Sequence, residues 1–157
     1  MPITWNSQLD TGIDVIDAQH RRIVGYVNQL EEARLAGDRE KVGGVIEQLV
    51  DYTQSHFGFE EAMMEEAGYK FLRAHKKVHE LFIKRVGEFT LRAAKGEDIA
   101  KELQGVLSTW LINHIASEDR DYAKPVLDST RHTALDVPAK GKEREGFMSS
   151  LLGRFFR

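Results

Sequence analysis

At 157 residues, 41% apolar and 30% charged, with a formal charge of −3, the chain has the makings of one globular domain, with neither the basic excess of a nucleic-acid binder nor an acidic tail. It has no cysteine, which excludes disulfides, thiolate zinc sites, cysteine-ligated iron–sulfur clusters and cysteine nucleophiles. No apolar run approaches the ~20 residues that span a bilayer, and the start MPITWNSQLD lacks the basic and apolar regions of a secretory signal, so the chain reads as cytoplasmic.

Residues 1–14 read as an irregular arm anchored by Trp5. From Val15 to Ala36 the apolar positions Ile16, Ile23, Val27 and Leu30 recur at helical spacing, with His20 in the same stripe and Gly37 as the cap. Asp38 is a candidate N-cap for a second helix reaching Ala67 and closed by Gly68, with a stripe of Ile46, Leu49, Thr53, His56, Glu60 and Met63. A third helix is expected from Lys70 to Lys95, turning Phe71, His75, Val78, His79, Phe82, Val86 and Phe89 inward. The fourth begins near Asp98 and carries Ile99, Leu103, Val106, Leu107, Trp110, Leu111 and His114, with Pro125 limiting its extent. Long helices joined by short loops predict an all-α, up-down-up-down antiparallel four-helix bundle over residues 1–125. Residues 126–145 read as a polar linker, and 146–157 as an amphipathic C-terminal helix.

The anomaly lies on the inward stripes, which hold five of the six histidines, His20, His56, His75, His79 and His114, together with Glu60. A buried polar group without a partner costs about 1–3 kcal/mol, and a shared metal centre satisfies several at once. His56 and Glu60 are four apart, as are His75 and His79, so each pair shares a helix face about one turn apart. Imidazole and carboxylate ligands suit iron, zinc, copper or nickel, and five histidines exceed the needs of one four-coordinate zinc, which suggests two metals. The ferritin-like di-iron arrangement needs Glu-x-x-His, and no histidine here has a glutamate three residues before it.

D-x-x-H at Asp17–His20, H-F-x-x-E at His56–Glu60, H-x-x-x-H at His75–His79 and H-x-x-x-x-D at His114–Asp119 together resemble the hemerythrins, in particular the single-domain bacterial ones, over about residues 3–125. The resemblance implies two non-haem irons cycling between Fe2+ and Fe3+, one taking His75, His79 and His114, the other His20 and His56. Glu60, Asp119 and an oxo or hydroxo group would bridge them, with dioxygen as the ligand. It also implies an oxygen pocket at Phe57, Trp110, Leu111 and Tyr122. Its functional expectation is reversible oxygen binding for storage, delivery or scavenging, by a carrier rather than an enzyme. The alternatives are an oxygen- or redox-sensing module signalling through the C-terminal helix, and a di-iron peroxidase or nitric-oxide-handling enzyme.

One implied ligand conflicts with regular helix geometry. Five residues advance about 500°, leaving Asp119 about 140° from His114, whereas Glu118 and Asp121 fall nearer its face. If Asp119 is the ligand, the helix must be distorted near residues 114–119 by a wide turn or an irregular end.

His132, in the polar stretch, reads as a solvated surface histidine, and Met63 and Met64 as core and rim. At the C-terminus, Phe147, Leu151 and Phe155 with Met148, Leu152 and Phe156 make one apolar stripe beside Arg154 and Arg157. Folding back on the bundle or docking in a homo-oligomer ranks first for this segment, a protein partner second and a membrane surface last.

Overall fold

A computed structural model describes residues 2–136 and 149–156, the side chains of 130–136 excepted. A 3-10 turn at Ser7–Leu9 precedes α1 (Asp14–Leu35), α2 (Arg39–Glu66), α3 (Leu72–Ala94) and α4 (Ala100–Asn113). A π-helix at His114–Asp119 then leads into α5 (Arg120–Asp136). Residues 149–155 form a last helix, α6. The described residues are helical throughout their regular structure, as expected, and α1 packs against α2 and α4 while α2 packs against α3.

The helix ends are marked by capping residues and glycines. Asp38 caps α2 by accepting from the Lys41 N–H at 3.0 Å, and Gly37, Gly68 and Gly96 take the positive φ that turns the chain after α1, α2 and α3. The arm is pinned at two points. Asn28 of α1 exchanges two hydrogen bonds with the Ile3 backbone, and the Asp17 carboxylate accepts from the Thr11 N–H and hydroxyl at 2.8 and 2.7 Å. Trp5 anchors the arm by packing on the core and donating from its indole to Asp10 at 2.8 Å.

Three expectations need correction. Phe71 is not inward: α3 begins one residue later, and the Phe71 ring stands 55% exposed against Tyr69. Pro125 does not stop the fourth helix, because it lies on the solvent face, where water can take the Asp121 carbonyl that loses its N–H partner. Tyr122, Ala123 and Val126 on the opposite face are buried and hold α5 in place. Residues 126–136 are therefore helix rather than linker, His132 sits within that helix, and 137–145 lie outside the described residues.

The core has two parts. One fills the bundle around Leu30, Leu49, Phe82, Leu103 and Leu107; the other gathers Ile16, Phe59, Met64 and Tyr122. The second is completed by α6, whose Leu151 is buried in it, with Phe156 5.1 Å from Tyr52 and 6.1 Å from Phe59. The C-terminal segment thus folds back on the bundle, although Leu152 of its predicted stripe stays exposed. Phe147 and Met148 lie outside the described residues.

Candidate metal centre

Every helix of the bundle contributes to one buried polar cluster between the two core regions. His20 comes from α1, His56 and Glu60 from α2, His75 and His79 from α3, and His114 and Asp119 from the two ends of the π-helix. All seven side chains are buried. Their ligand atoms form two groups, each within 4.8 Å: Glu60, His75, His79, His114 and Asp119 in one, and His20, His56, Glu60 and Asp119 in the other. Glu60 and Asp119 belong to both.

The distortion predicted at 114–119 is present. A π-helix bonds i to i+5 and so brings Asp119 round to His114, with Asp119 Oδ1 3.0 Å from His114 Nε2. Glu118, the side chain a regular helix would favour, instead contacts the outward ring nitrogen of His114. Asp121 is exposed and outside both groups.

The donor atoms face one another as ligands do. Asp119 lies 3.0 Å from His20 Nε2 and 3.2 Å from His75 Nε2, and Glu60 Oε2 lies 2.6 Å from His56 Nε2. Yet Asp119 Oδ1 and Oδ2, Glu60 Oε2 and both ring nitrogens of His20 have no hydrogen-bond partner. His79 Nε2 and His114 Nε2 stand 3.2 Å apart, nitrogen to nitrogen. Buried donors and acceptors are normally paired. Lone pairs converging on common centres are what divalent metals require, so the residues fit a two-metal site of imidazole and carboxylate.

Aromatic rings fix the ligands' orientation. Phe57 stacks on His79 with centroids 3.7 Å apart, and Trp110 lies between His114 at 4.4 Å and Phe82 at 3.9 Å. Beside them is a small cavity, with about 10 Å³ in which the centre of a water-sized molecule can move. It touches His20, His56, His114 and Asp119 and is otherwise walled mainly by Ile23, Phe57, Phe82, Leu107, Trp110 and Leu111.

A family model described as "Hemerythrin HHE cation binding domain" matches residues 11–125. The chain belongs to the hemerythrin family. It is 49% identical to a bacteriohemerythrin of Pseudomonas aeruginosa (strain LESB58), over 98% of this chain and 97% of that protein. A hemerythrin subunit alpha of Lingula reevii is 31% identical over 77% of this chain and 92% of its own. A crystal structure of wild-type hemerythrin superposes with a TM-score of 0.76 at 27% identity, covering 80% of this chain and 98% of that one. Hemerythrins generally bind oxygen through a non-haem di-iron site.

Of the pocket residues that the hemerythrin resemblance implies, Phe57, Trp110 and Leu111 line the cavity, and Tyr122 does not. Tyr122 sits across the cluster in the other core region, its ring 5.4 Å from His75 and its hydroxyl without a hydrogen-bond partner. Its other ring neighbour is Tyr69, at 6.3 Å, in the turn between α2 and α3. Burial, followed by Glu60 and Asp119, pushes the Tyr122 phenol well above the ordinary value, so it remains a neutral O–H beside the carboxylates.

The metal-free charge state is set by the same geometry. Burial pulls the His20 imidazole down, but Asp119 and Glu60 outweigh it and push the ring up to about 9. His75 is raised to about 10 against burial, again by Asp119 and Glu60. His114 is raised as well, by Asp119, whereas burial wins at His56 and lowers it. The histidines in turn hold Glu60 and Asp119 below the usual carboxylate range despite their burial. Without a metal the cluster therefore keeps protons that ligation must displace.

Three of the ring nitrogens turned away from the centre also have partners. His56 Nδ1 lies 2.6 Å from Gln19 Oε1 and His79 Nδ1 3.1 Å from Glu61 Oε1, while His114 Nδ1 meets Glu118. The signal in the sequence is adjacency, since each partner neighbours a cluster residue: Gln19 beside His20, Glu61 beside Glu60 and Glu118 beside Asp119.

Proposed function

We propose that the chain binds dioxygen reversibly at two non-haem irons, for storage, delivery or local scavenging in the cytoplasm. His75, His79 and His114 would hold one iron and His20 and His56 the other, with Glu60, Asp119 and an oxo or hydroxo group bridging them. The observation that carries this reading is an asymmetry. Two ligand groups share Glu60 and Asp119, one group has three histidines and the other two, and the apolar cavity touches both histidines of the smaller group but only His114 among those of the larger. The group with two histidines would offer its metal one protein ligand fewer than the group with three, and so would be the one with room for dioxygen.

Reduced iron supplies the electrons that oxygen needs in order to bind. The protein's own residues set the surroundings. Ile23, Phe57, Phe82, Leu107 and Leu111 exclude the water that would displace a bound gas. Phe57 and Trp110 hold the His79 and His114 rings in place. Five neutral histidines with two carboxylates make a donor set less anionic than a glutamate-rich one, which favours reversible binding over oxidation chemistry.

A second reading, a redox- or oxygen-sensing module, draws support from α6. This helix packs on α2 at Gly58, between the helical turns that carry His56 and Glu60.

Anaerobic reconstitution with Fe2+, then exposure to oxygen, tests the proposal. A visible absorption band that grows under oxygen and disappears under argon is the expected result. No band, or irreversible bleaching, would overturn it. Steady oxygen consumption with a reductant would instead point to the enzyme alternative.

A further inference from the structure

We infer that Glu61 and Glu118 are positioning residues that make the three-histidine position the tighter of the two metal positions, while the two-histidine position lacks such support. This rests on the two-metal reading above and adds an order of affinity between the positions.

The inward nitrogens of His79 and His114 are both Nε2, 3.2 Å from each other and, at His114, 3.0 Å from Asp119. An Nε2 that offers its lone pair to a metal leaves the proton on Nδ1, which must then donate outward. At His79 the acceptor is the Glu61 carboxylate at 3.1 Å, and at His114 it is the Glu118 carboxylate. A carboxylate accepting from Nδ1–H fixes the ring's tautomer and orientation and raises the basicity of the ligating nitrogen.

The smaller group is built differently. His56 Nδ1 meets the neutral amide oxygen of Gln19 at 2.6 Å, and His20 Nδ1 is buried with no hydrogen-bond partner. Glu60 and Asp119 serve both positions equally in number, so they do not create the difference. Two further negative charges therefore stand behind one position, whereas Gln19 brings none to the other. Glu61 is 24% and Glu118 42% exposed, so solvent weakens their through-space field. Their effect passes through the direct hydrogen bonds, and their partial exposure lets both be replaced without disturbing the core.

The consequence is stepwise occupancy. The ion at the position facing the cavity enters last and leaves first, while the other remains as a fixed partner.

The test is chelator competition on the whole chain loaded with Fe2+ under argon, with bound ions counted per chain and melting of the metal-free protein confirming that each variant folds. The unaltered chain should lose its ions in two separable steps. Glu61→Gln and Glu118→Gln keep shape and an acceptor oxygen but lose the charge. Each should weaken the tighter ion about 10–100-fold and leave the weaker one within about threefold, so that the two steps merge in the double variant. A single step in the unaltered chain, unchanged affinities in the variants, or equal weakening of both ions would overturn the inference. Failure of the unaltered chain to bind two ions would overturn the two-metal reading, and this inference with it.

Discussion

Asp119 belongs to both ligand groups and lies within 3.2 Å of imidazole nitrogens from three helices, so the proposed centre depends on it more than on any one histidine. Asp119→Asn keeps the shape and removes the anion, and metal analysis per chain should fall from two irons to fewer than two. The protonation states give a second prediction. His20 and His75 have folded-state values of about 9 and about 10, above the ordinary 6.5, so the folded metal-free chain binds more protons than the unfolded one between these limits. Their contribution to stability is complete below pH 6.5 and is lost as pH rises through about 9 to 10. His56, lowered by burial, acts in the opposite direction on the acid side, and its single ring is outnumbered by His20, His75 and His114. In chelator, the melting midpoint should therefore fall on the alkaline side. Iron binding should show the converse, weakening as pH falls because the ions must displace these protons. A metal-free midpoint that rises from pH 7 to about pH 10 would contradict these assignments.

The π-helix is the element that makes Asp119 available, and its logic can be tested by changing length alone. Deleting the exposed Ser117 places the aspartate four residues after His114, where a regular α-helix also faces it inward, so two irons should still bind. Inserting an alanine after Ser117 places it six residues on, about 120° off that face, and should reduce binding below two irons. A second element-scale test concerns α6. A Cβ on Gly58 would lie 2.6 Å from the Phe155 ring, so Gly58→Val should displace the helix. Tryptic cleavage within it should accelerate roughly tenfold for a docking loss of about 1.4 kcal/mol. Periodicity makes the four bundle helices legible, because each buries a stripe, and it exposes the site, because His20, His56, His75, His79 and His114 lie on those stripes. It cannot orient α5, since the wide turn of the π-helix resets the register, and Tyr122, which the resemblance alone placed in the oxygen pocket, does not line the cavity. Pro125 misleads because a proline on the solvent face costs a helix less than one on the buried face. Glu61 and Glu118 are illegible as ligand supports for another reason. In a chain with 25 acidic residues, Glu61 carries no pattern until His79 of the neighbouring helix is seen beside it, and the i,i+4 spacing that puts Glu118 near His114 does not say which ring nitrogen it meets.

For the molecule as a whole, the proposed ligands come from α1, α2, α3 and the π-helix that extends α4, so two ions would cross-link all four walls of the bundle. An ion that binds the folded chain and not the unfolded one adds about 4 kcal/mol at a thousandfold excess over its dissociation constant. For a chain of this size each kcal/mol moves the midpoint by about 2–4 °C, so one ion should raise it by roughly 8–16 °C. The helix α6 supplies no ligand and packs on the outer face of α2. Its removal should lower the midpoints of the metal-free and iron-loaded proteins alike, leaving the metal increment unchanged to within the ~0.5 kcal/mol expected of independent sites. Calorimetry of the full chain and of a chain ending at Asp136, each with Fe2+ under argon and with chelator, measures both quantities. If the increment shrinks on truncation, α6 is coupled to the metal centre and the sensing alternative gains. If it persists, the C-terminal helix is a structural cover over a bundle that binds its metals independently.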